Sequence, residues 1–166
     1  MYLKNHTDEL GINKNQMMVG GESAGGGLCV AVCMMARDKG EVNIAYQMPL
    51  YPIIDNFDTE TSVNNHGKVW NTRKNHIAWK LYLRKNVKKN VSPYAAPARQ
   101  TDYSYLPPAY TFVGNGEPFY AETCTYIDNL RAGIEAEMDV YKSDMHAFDM
   151  VRPALEISKS AALRFN

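Results

Sequence analysis

The residues best able to do chemistry in this sequence form the segment GESAGG, in which Ser23 lies between Gly21 and Gly25. A serine with a glycine two positions away on each side is typical of a nucleophile elbow, a turn so tight that the serine takes strained backbone angles. We expect a side chain at either glycine to collide with the strand and helix that cross there. The pattern predicts that Ser23 presents its hydroxyl as a nucleophile.

The elements around this segment favour the same interpretation. A short apolar run over residues 16–20 predicts a buried strand before it, and residues 24–39 predict an apolar helix that ends with Lys39 and Gly40. A glycine-rich turn between a strand and a helix can also bind phosphate. The pattern G-x-x-x-x-G-K-[ST] does not occur, however, and no lysine directly follows the glycines. We therefore favour a nucleophile over a phosphate-binding loop.

A serine hydroxyl needs a base that takes its proton and an acid that orients this base. Candidates follow the last two strands that the sequence predicts, over residues 109–114 and 137–141. Glu117 comes just after the first of these strands, and His146 comes just after the second. Because functional groups of a parallel sheet collect at the carboxyl ends of its strands, we expect Ser23, Glu117 and His146 to meet. Their order along the chain is the order of α/β-hydrolases.

Other carboxylates and histidines compete for these roles. Asp144 is too close to His146 in the chain to orient it easily, and Glu122 should already lie within a helix. One rival histidine precedes the elbow strand, and two lie in or beside the segment 55–108. The competing carboxylates are Asp144, Glu122 and Asp149, and the competing histidines are His6, His66 and His76.

Strands and helices alternate along the chain and define the elements that must position these residues. We expect strands over 17–20, 44–50, 109–114 and 137–141, and helices over 2–10, 24–39, 76–85, 119–132 and 154–165. Long crossovers between strands imply a parallel sheet covered on both faces, which is an α/β fold of three layers. The length of 166 residues suits a single domain, 1–166, in which residues 55–108 form an irregular insertion over the site.

Composition excludes several classes of partner. Eighteen basic and eighteen acidic residues leave no net charge, so we expect neither nucleic acid nor an anionic membrane as partner. No apolar run reaches the length of a membrane span, and residues 1–6 lack the apolar stretch of a signal peptide, so we expect neither feature. Cys29 and Cys33 have a spacing that could hold a metal, but histidine and carboxylate ligands are missing nearby. We expect these residues and Cys124 to be thiols in the cytoplasm, with no metal or cofactor.

The chain resembles the hormone-sensitive-lipase-like branch of the α/β-hydrolases, which holds acetyl esterases and small-acyl carboxylesterases. Four segments carry the resemblance: GESAGGGL, AYQMPLYPIID, VSPYAAPARQTDYSYLPPAYTFVGNGEPFYAET and HAFDM. The resemblance runs from about Asp8 to the end of the chain. It implies that Ser23 is the nucleophile, His146 the base and Glu117 the acid, at a position where aspartate is more usual. Ala24 disfavours a peptidase of the same fold, in which an aromatic residue usually follows the serine.

The resemblance also implies a part of the fold that this sequence does not contain. In this branch the elbow strand is the fifth of eight, and a His-Gly-Gly-Gly loop before it supplies most of the oxyanion hole. No such segment occurs here. We therefore expect the C-terminal half of the fold, with the backbone N–H of Ala24 as its one oxyanion donor. The elbow strand should then be an exposed apolar edge, which favours a homodimer or larger assembly.

Two functions from different classes are compatible with these residues. The first is a serine esterase that cleaves small esters with short acyl groups, weakly because the oxyanion loop is missing. The second is a non-catalytic hydrolase-fold fragment whose main property is self-association. The aromatic residues Trp70, Trp79 and Tyr82 could line a substrate pocket, but we expect them to pack in the core.

Overall fold

Four parallel strands form one sheet in the part of the chain that the computed structural model describes, residues 2–84 and 90–165. The strands are β1 (Met18–Glu22), β2 (Tyr46–Leu50), β3 (Ala109–Gly114) and β4 (Ala136–Tyr141). They lie in the sheet in the order of the sequence, so that β1 and β4 are its two edges. The predicted α/β fold with about four parallel strands is confirmed.

The helices of the described residues flank and connect these strands. They are α1 (Tyr2–Asn5), α2 (Thr7–Leu10), α3 (Ala24–Lys39), α4 (Thr72–Leu83), α5 (Tyr120–Arg131), α6 (Phe148–Val151) and α7 (Glu156–Phe165). A 3-10 turn, Pro97–Arg99, lies with α4 in the long connection between β2 and β3. No helix in the described ranges is long and apolar enough to cross a bilayer.

Helices cover both faces of the sheet, as predicted. On one face α3 and α5 pack together through buried side chains: Val30, Cys33, Met34, Tyr126, Ile127 and Leu130. On the other face α6 and α7 contribute Phe148 and Ala161, which pack against Tyr110 and Phe112 of β3. The helices and the sheet thus form three layers with clusters of buried apolar side chains between them.

Several element boundaries differ from the prediction for local reasons. The helix expected over 2–10 is two short helices, because His6 leaves the helical conformation with φ −125°. Helix α4 begins four residues early, since the Asn71 side chain accepts a hydrogen bond from the Lys74 N–H and caps it. The predicted end of this helix, Lys85, lies outside the described residues. Strand β2 begins at Tyr46 rather than at residue 44, and it includes Pro49, whose carbonyl accepts a hydrogen bond from Thr111 Oγ1 at 2.5 Å.

Candidate active site

Ser23 occupies the turn between β1 and α3 in a strained backbone conformation, with φ 56° and ψ −118°. Such angles are rare for a residue with a side chain and cost about 1–3 kcal/mol. Backbone hydrogen bonds hold the turn in place. The Ser23 N–H donates to the Leu50 carbonyl at 3.0 Å, and the Ser23 carbonyl accepts from Gly27 at 3.1 Å and from Ile53 at 3.0 Å. The strain predicted for this residue is confirmed.

Only one of the two elbow glycines has the close contact that the sequence predicted. A Cβ at Gly21 would lie 2.3 Å from the Gly25 carbonyl oxygen, so the predicted collision is confirmed there. A Cβ at Gly25 would meet no atom within 4 Å, so the predicted collision at this position is wrong. The close contact falls instead at Gly27, where a Cβ would lie 2.2 Å from the Ile53 carbonyl oxygen. The loop after β2, rather than the elbow itself, crosses the first turns of α3.

The structure brings together the three residues that the sequence predicted as nucleophile, base and acid. Ser23 Oγ lies 2.8 Å from Nε2 of His146, and Nδ1 of the same ring lies 2.7 Å from Oε2 of Glu117. The three side chains come from the segments that follow β1, β3 and β4. A neutral imidazole whose Nδ1–H donates to the carboxylate leaves Nε2 to accept the serine proton. We call this row of side chains the relay.

Glu117 is fully buried, with 0% of its surface exposed. Burial raises the pKa of this carboxyl because it disfavours the charged form, and the hydrogen bond from His146 opposes that rise. The second carboxyl oxygen, Oε1, has no hydrogen bond within the described part of the chain. The hydrogen bond from His146 is therefore the largest interaction that favours the ionised form of Glu117.

Three aromatic rings surround the imidazole of His146. The ring centroid of Phe119 lies 4.9 Å from that of His146, and those of Tyr51 and Trp70 lie at 5.2 Å and 6.3 Å. His146 itself is only 4% exposed. Sequence reasoning missed Tyr51 and Phe119, although each follows the carboxyl end of a strand, as the relay residues do. The rings restrict the orientations that the imidazole can adopt.

The rival carboxylates and histidines make other contacts. Asp149 accepts a hydrogen bond from the Tyr51 hydroxyl at 3.2 Å, and Glu122 accepts one from the Ile54 N–H at 2.8 Å. His76 pairs with Asp58 at 2.8 Å. Among the described residues, the hydrogen bonds of the His146 ring go to Ser23 and Glu117 instead.

The first turn of α3 supplies a donor beside the serine. Ala24 is the first residue of this helix, so its N–H is one of those without a carbonyl partner inside the helix. The N-terminus of a helix also carries a partial positive charge. A negatively charged oxygen next to Ser23 would be stabilised by this N–H group.

The cysteines are free, as predicted for thiols. Cys29 and Cys33 are buried in α3, and Cys29 Sγ donates to the Val19 carbonyl at 3.2 Å. Cys124 is partly buried. Over residues 2–84 and 90–165, no group of three or more histidine, cysteine, aspartate or glutamate residues is arranged to bind a metal ion.

Comparison with known proteins adds a family and several relatives. A sequence model described as alpha/beta hydrolase fold matches residues 1–150. The carboxylic ester hydrolase LipN of Mycobacterium tuberculosis is 32% identical over 149 residues, which cover 86% of this chain and 40% of LipN. An arylesterase of Saccharolobus solfataricus is 26% identical over 152 residues, which cover 89% of this chain and 49% of the arylesterase. The chain thus spans about half the length of the curated relatives it matches.

Solved structures give the same result. A bacterial heroin esterase superposes with a TM-score of 0.93 at 32% identity, covering 98% of this chain and 53% of the esterase. An esterase of Pyrobaculum calidifontis superposes with a TM-score of 0.87 at 29% identity, covering 99% of this chain and 55% of that protein. The described strands and helices therefore match about half of the fold in these enzymes.

Proposed function

The chain belongs to the α/β-hydrolase family, and we propose that it acts as a serine hydrolase of carboxylic esters. Its resemblance to the hormone-sensitive-lipase-like branch is confirmed by the same comparisons. The observation that carries the proposal is the relay, with hydrogen bonds of 2.8 Å and 2.7 Å joining Ser23, His146 and Glu117. The names of the relatives, a carboxylic ester hydrolase, an arylesterase and a heroin esterase, support this class of substrate.

The first step is the attack of Ser23 Oγ on the carbonyl carbon of an ester. Nε2 of His146 takes the hydroxyl proton as the new C–O bond forms. Glu117 holds Nδ1–H and stabilises the imidazolium that results. The carbonyl oxygen becomes an oxyanion, which the N–H of Ala24 stabilises.

The second half of the reaction uses the same side chains. His146 gives its proton to the departing alcohol, and the C–O bond to the alcohol breaks, which leaves the acyl group on Ser23. Water then attacks this acyl-enzyme, with His146 as base, and releases the carboxylic acid. No metal or cofactor enters this sequence of steps.

We further propose that the acyl group is short, as in acetyl esterases, and that the 166-residue chain alone turns over slowly. Among the described residues we identify one oxyanion donor, the N–H of Ala24. Removal of a single oxyanion donor lowers turnover by about a hundredfold to a thousandfold in a serine protease. The buried thiols of Cys29 and Cys33 fit the reducing cytoplasm as the compartment of this protein.

The exposed edge of the sheet favours a second candidate function, the self-association of a non-catalytic fragment. Met18 in β1 is 54% exposed, and the adjacent face of α3 exposes an apolar stripe, Leu28, Val32 and Met35. At the opposite edge, β4 is charged, since Arg164 pairs with Glu137 of that strand at 3.2 Å. An apolar strand edge is a template for pairing with another strand. We propose a second copy of this chain as the partner, paired through β1.

Hydrolysis of p-nitrophenyl acetate tests the enzymatic proposal. We expect turnover in the native chain that disappears in Ser23→Ala, because no other hydroxyl group contacts His146 Nε2 among the described residues. The matched control is Ser160→Ala, which removes an exposed hydroxyl on α7 and should leave turnover unchanged. Equal hydrolysis by the native chain and Ser23→Ala would contradict the esterase function and favour the fragment.

A further inference from the structure

An apolar cavity of about 160 Å³ opens beside Ser23, and the relay does not use it. Ala24, the residue after the serine, lines one side. Trp70 lines another side, and its ring lies 6.3 Å from the ring of His146. Ala78 and Trp79 of α4 complete the wall. No relay residue lines the cavity, but Ala24 connects it to the serine and Trp70 connects it to the imidazole.

The lining of this cavity favours an apolar ligand. Among the described residues, its walls consist of alanine, glycine, leucine, isoleucine, tryptophan and tyrosine, with no charged or amide side chain. Leu28 and Tyr82 stand at the wall with 56% of their surfaces exposed, which leaves the cavity open to solvent. Tyr82 therefore does not pack in the core as the sequence predicted. An apolar cavity offers water few partners and gains from contact with an apolar group.

The volume indicates the size of the group that the cavity can enclose. An engineered apolar cavity of about 150 Å³ in another protein binds benzene. We infer that the cavity beside Ser23 binds one apolar group of about the size of a benzene ring, carried on either side of the ester. The inference rests on the proposed function, because it takes the ester at Ser23 as the molecule that carries the ring. The protein would then prefer esters with one aryl group to esters that lack a ring.

Tryptophan fluorescence tests the cavity without the need for catalysis. The chain has two tryptophans, Trp70 and Trp79, and both line the cavity. Toluene should change the fluorescence in a saturable way, whereas glycerol should not. Ala78→Phe should fill the cavity and weaken toluene binding by at least about tenfold, since the buried surface of a ring is lost. Ile77→Phe adds the same side chain at a 49% exposed position of α4 that does not line the cavity, and should bind as the native chain does.

Two sulfonyl fluorides test whether a ring bound in the cavity speeds the reaction of Ser23. In each, Ser23 Oγ attacks sulfur, an S–O bond forms, the S–F bond breaks, fluoride leaves and His146 takes the hydroxyl proton. Labelling rates are measured by intact mass and divided by the hydrolysis rate of each reagent in buffer. Phenylmethylsulfonyl fluoride should label Ser23 about 10- to 100-fold faster than methylsulfonyl fluoride, as expected for burial of a ring. Ala78→Phe should reduce this preference to within about threefold, and Ile77→Phe should keep it.

Two esters identify the side that carries the ring. Phenyl acetate carries the ring on its alcohol group, and methyl benzoate carries the ring on its acyl group. The cavity takes the ring of whichever ester shows a lower kcat/KM in Ala78→Phe and an unchanged kcat/KM in Ile77→Phe. If neither sulfonyl fluoride labels Ser23, the proposed function is contradicted. The fluorescence titration would still show whether the cavity binds an aromatic ring. The inference would be overturned by a fluorescence change that does not saturate with toluene concentration. It would also be overturned by equal toluene binding in Ala78→Phe and the native chain.

Discussion

Glu122 is a buried carboxyl group that the relay does not use, and we predict that it is a neutral acid in the folded chain. It lies in the first turn of α5 with 3% of its surface exposed. Its Oε1 accepts the Ile54 N–H at 2.8 Å, and its Oε2 has no hydrogen-bond partner among the described residues. Burial raises the pKa of this carboxyl well above the usual 4.5.

Two substitutions at Glu122 distinguish the effect of its hydrogen bond on stability from the effect of its charge. Glu122→Gln keeps an oxygen for the Ile54 N–H, so we expect a change in the free energy of unfolding within about 1 kcal/mol in mild acid. Glu122→Ala leaves that N–H buried without an acceptor, which costs about 1–3 kcal/mol. It also removes one buried methylene, worth about 0.8 kcal/mol, and leaves a cavity. We therefore expect Glu122→Ala to lose about 2–4 kcal/mol.

The dependence on pH follows from the direction of the pKa shift. When folding raises the pKa of an acid, its contribution to stability is fully present below the unfolded value and is lost as pH rises through the folded value. The contribution of Glu122 to the stability of the wild-type chain should therefore fall from about pH 4.5 upward, by up to about 1.4 kcal/mol per pH unit in that window. Glu122→Gln cannot ionise, so its stability relative to wild type should grow as pH rises. Glu117 is present in both chains, and its own contribution cancels in the comparison.

Urea denaturation followed by circular dichroism, from about pH 5 to about pH 9, measures both effects. If the free energies of unfolding of wild type and Glu122→Gln differ by the same amount at every pH in this range, the prediction that Glu122 is a neutral acid is refuted. Equal stability of Glu122→Ala and Glu122→Gln would refute the role of the Ile54 hydrogen bond.

Four further substitutions test the site, the elbow and the sheet edge. Glu117→Gln should lower the turnover of p-nitrophenyl acetate by about a hundredfold or more, because the amide can hold His146 in the wrong tautomer; undiminished turnover would count against the relay. Gly27→Ala should cost about 1–3 kcal/mol in urea denaturation, whereas Gly25→Ala should stay within about 1 kcal/mol of wild type, and equal losses would contradict the contact geometry. Met18→Lys should convert a self-associating chain to a monomer in light scattering, and a native chain that is monomeric at micromolar concentration would refute pairing through β1.

The relay could be predicted from the sequence because each of its residues follows a strand end. Ser23, Glu117 and His146 are far apart in the chain, but the carboxyl ends of parallel strands all lie at the same end of the sheet. The same logic could not locate the crowded glycine, since a Cβ at Gly27 collides with Ile53 of a loop whose path has no periodic pattern. It therefore assigned to Gly25 a contact that belongs to Gly27.

Contacts of the aromatic and acidic side chains were also beyond the reach of sequence patterns. Tyr51 and Phe119 surround His146 because two loops converge on it, which depends on the tertiary fold. Glu122 was correctly expected inside a helix, but its position in the chain does not reveal that its carboxyl group meets the backbone of a loop more than sixty residues away. The Glu122 contact depends on how α5 docks against the sheet.

Helix α5 connects the two ends of the relay. Glu122, in its first turn, bonds to the residue after Ile53, and the Ile53 N–H holds the carbonyl of Ser23 at 3.0 Å. Glu117, three residues before the helix, bonds to the imidazole of His146 at 2.7 Å. A displacement of α5 would therefore disturb the support of the nucleophile as well as the support of the base. The 2.8 Å contact between the serine and the histidine therefore depends on two supports that both lead back to α5.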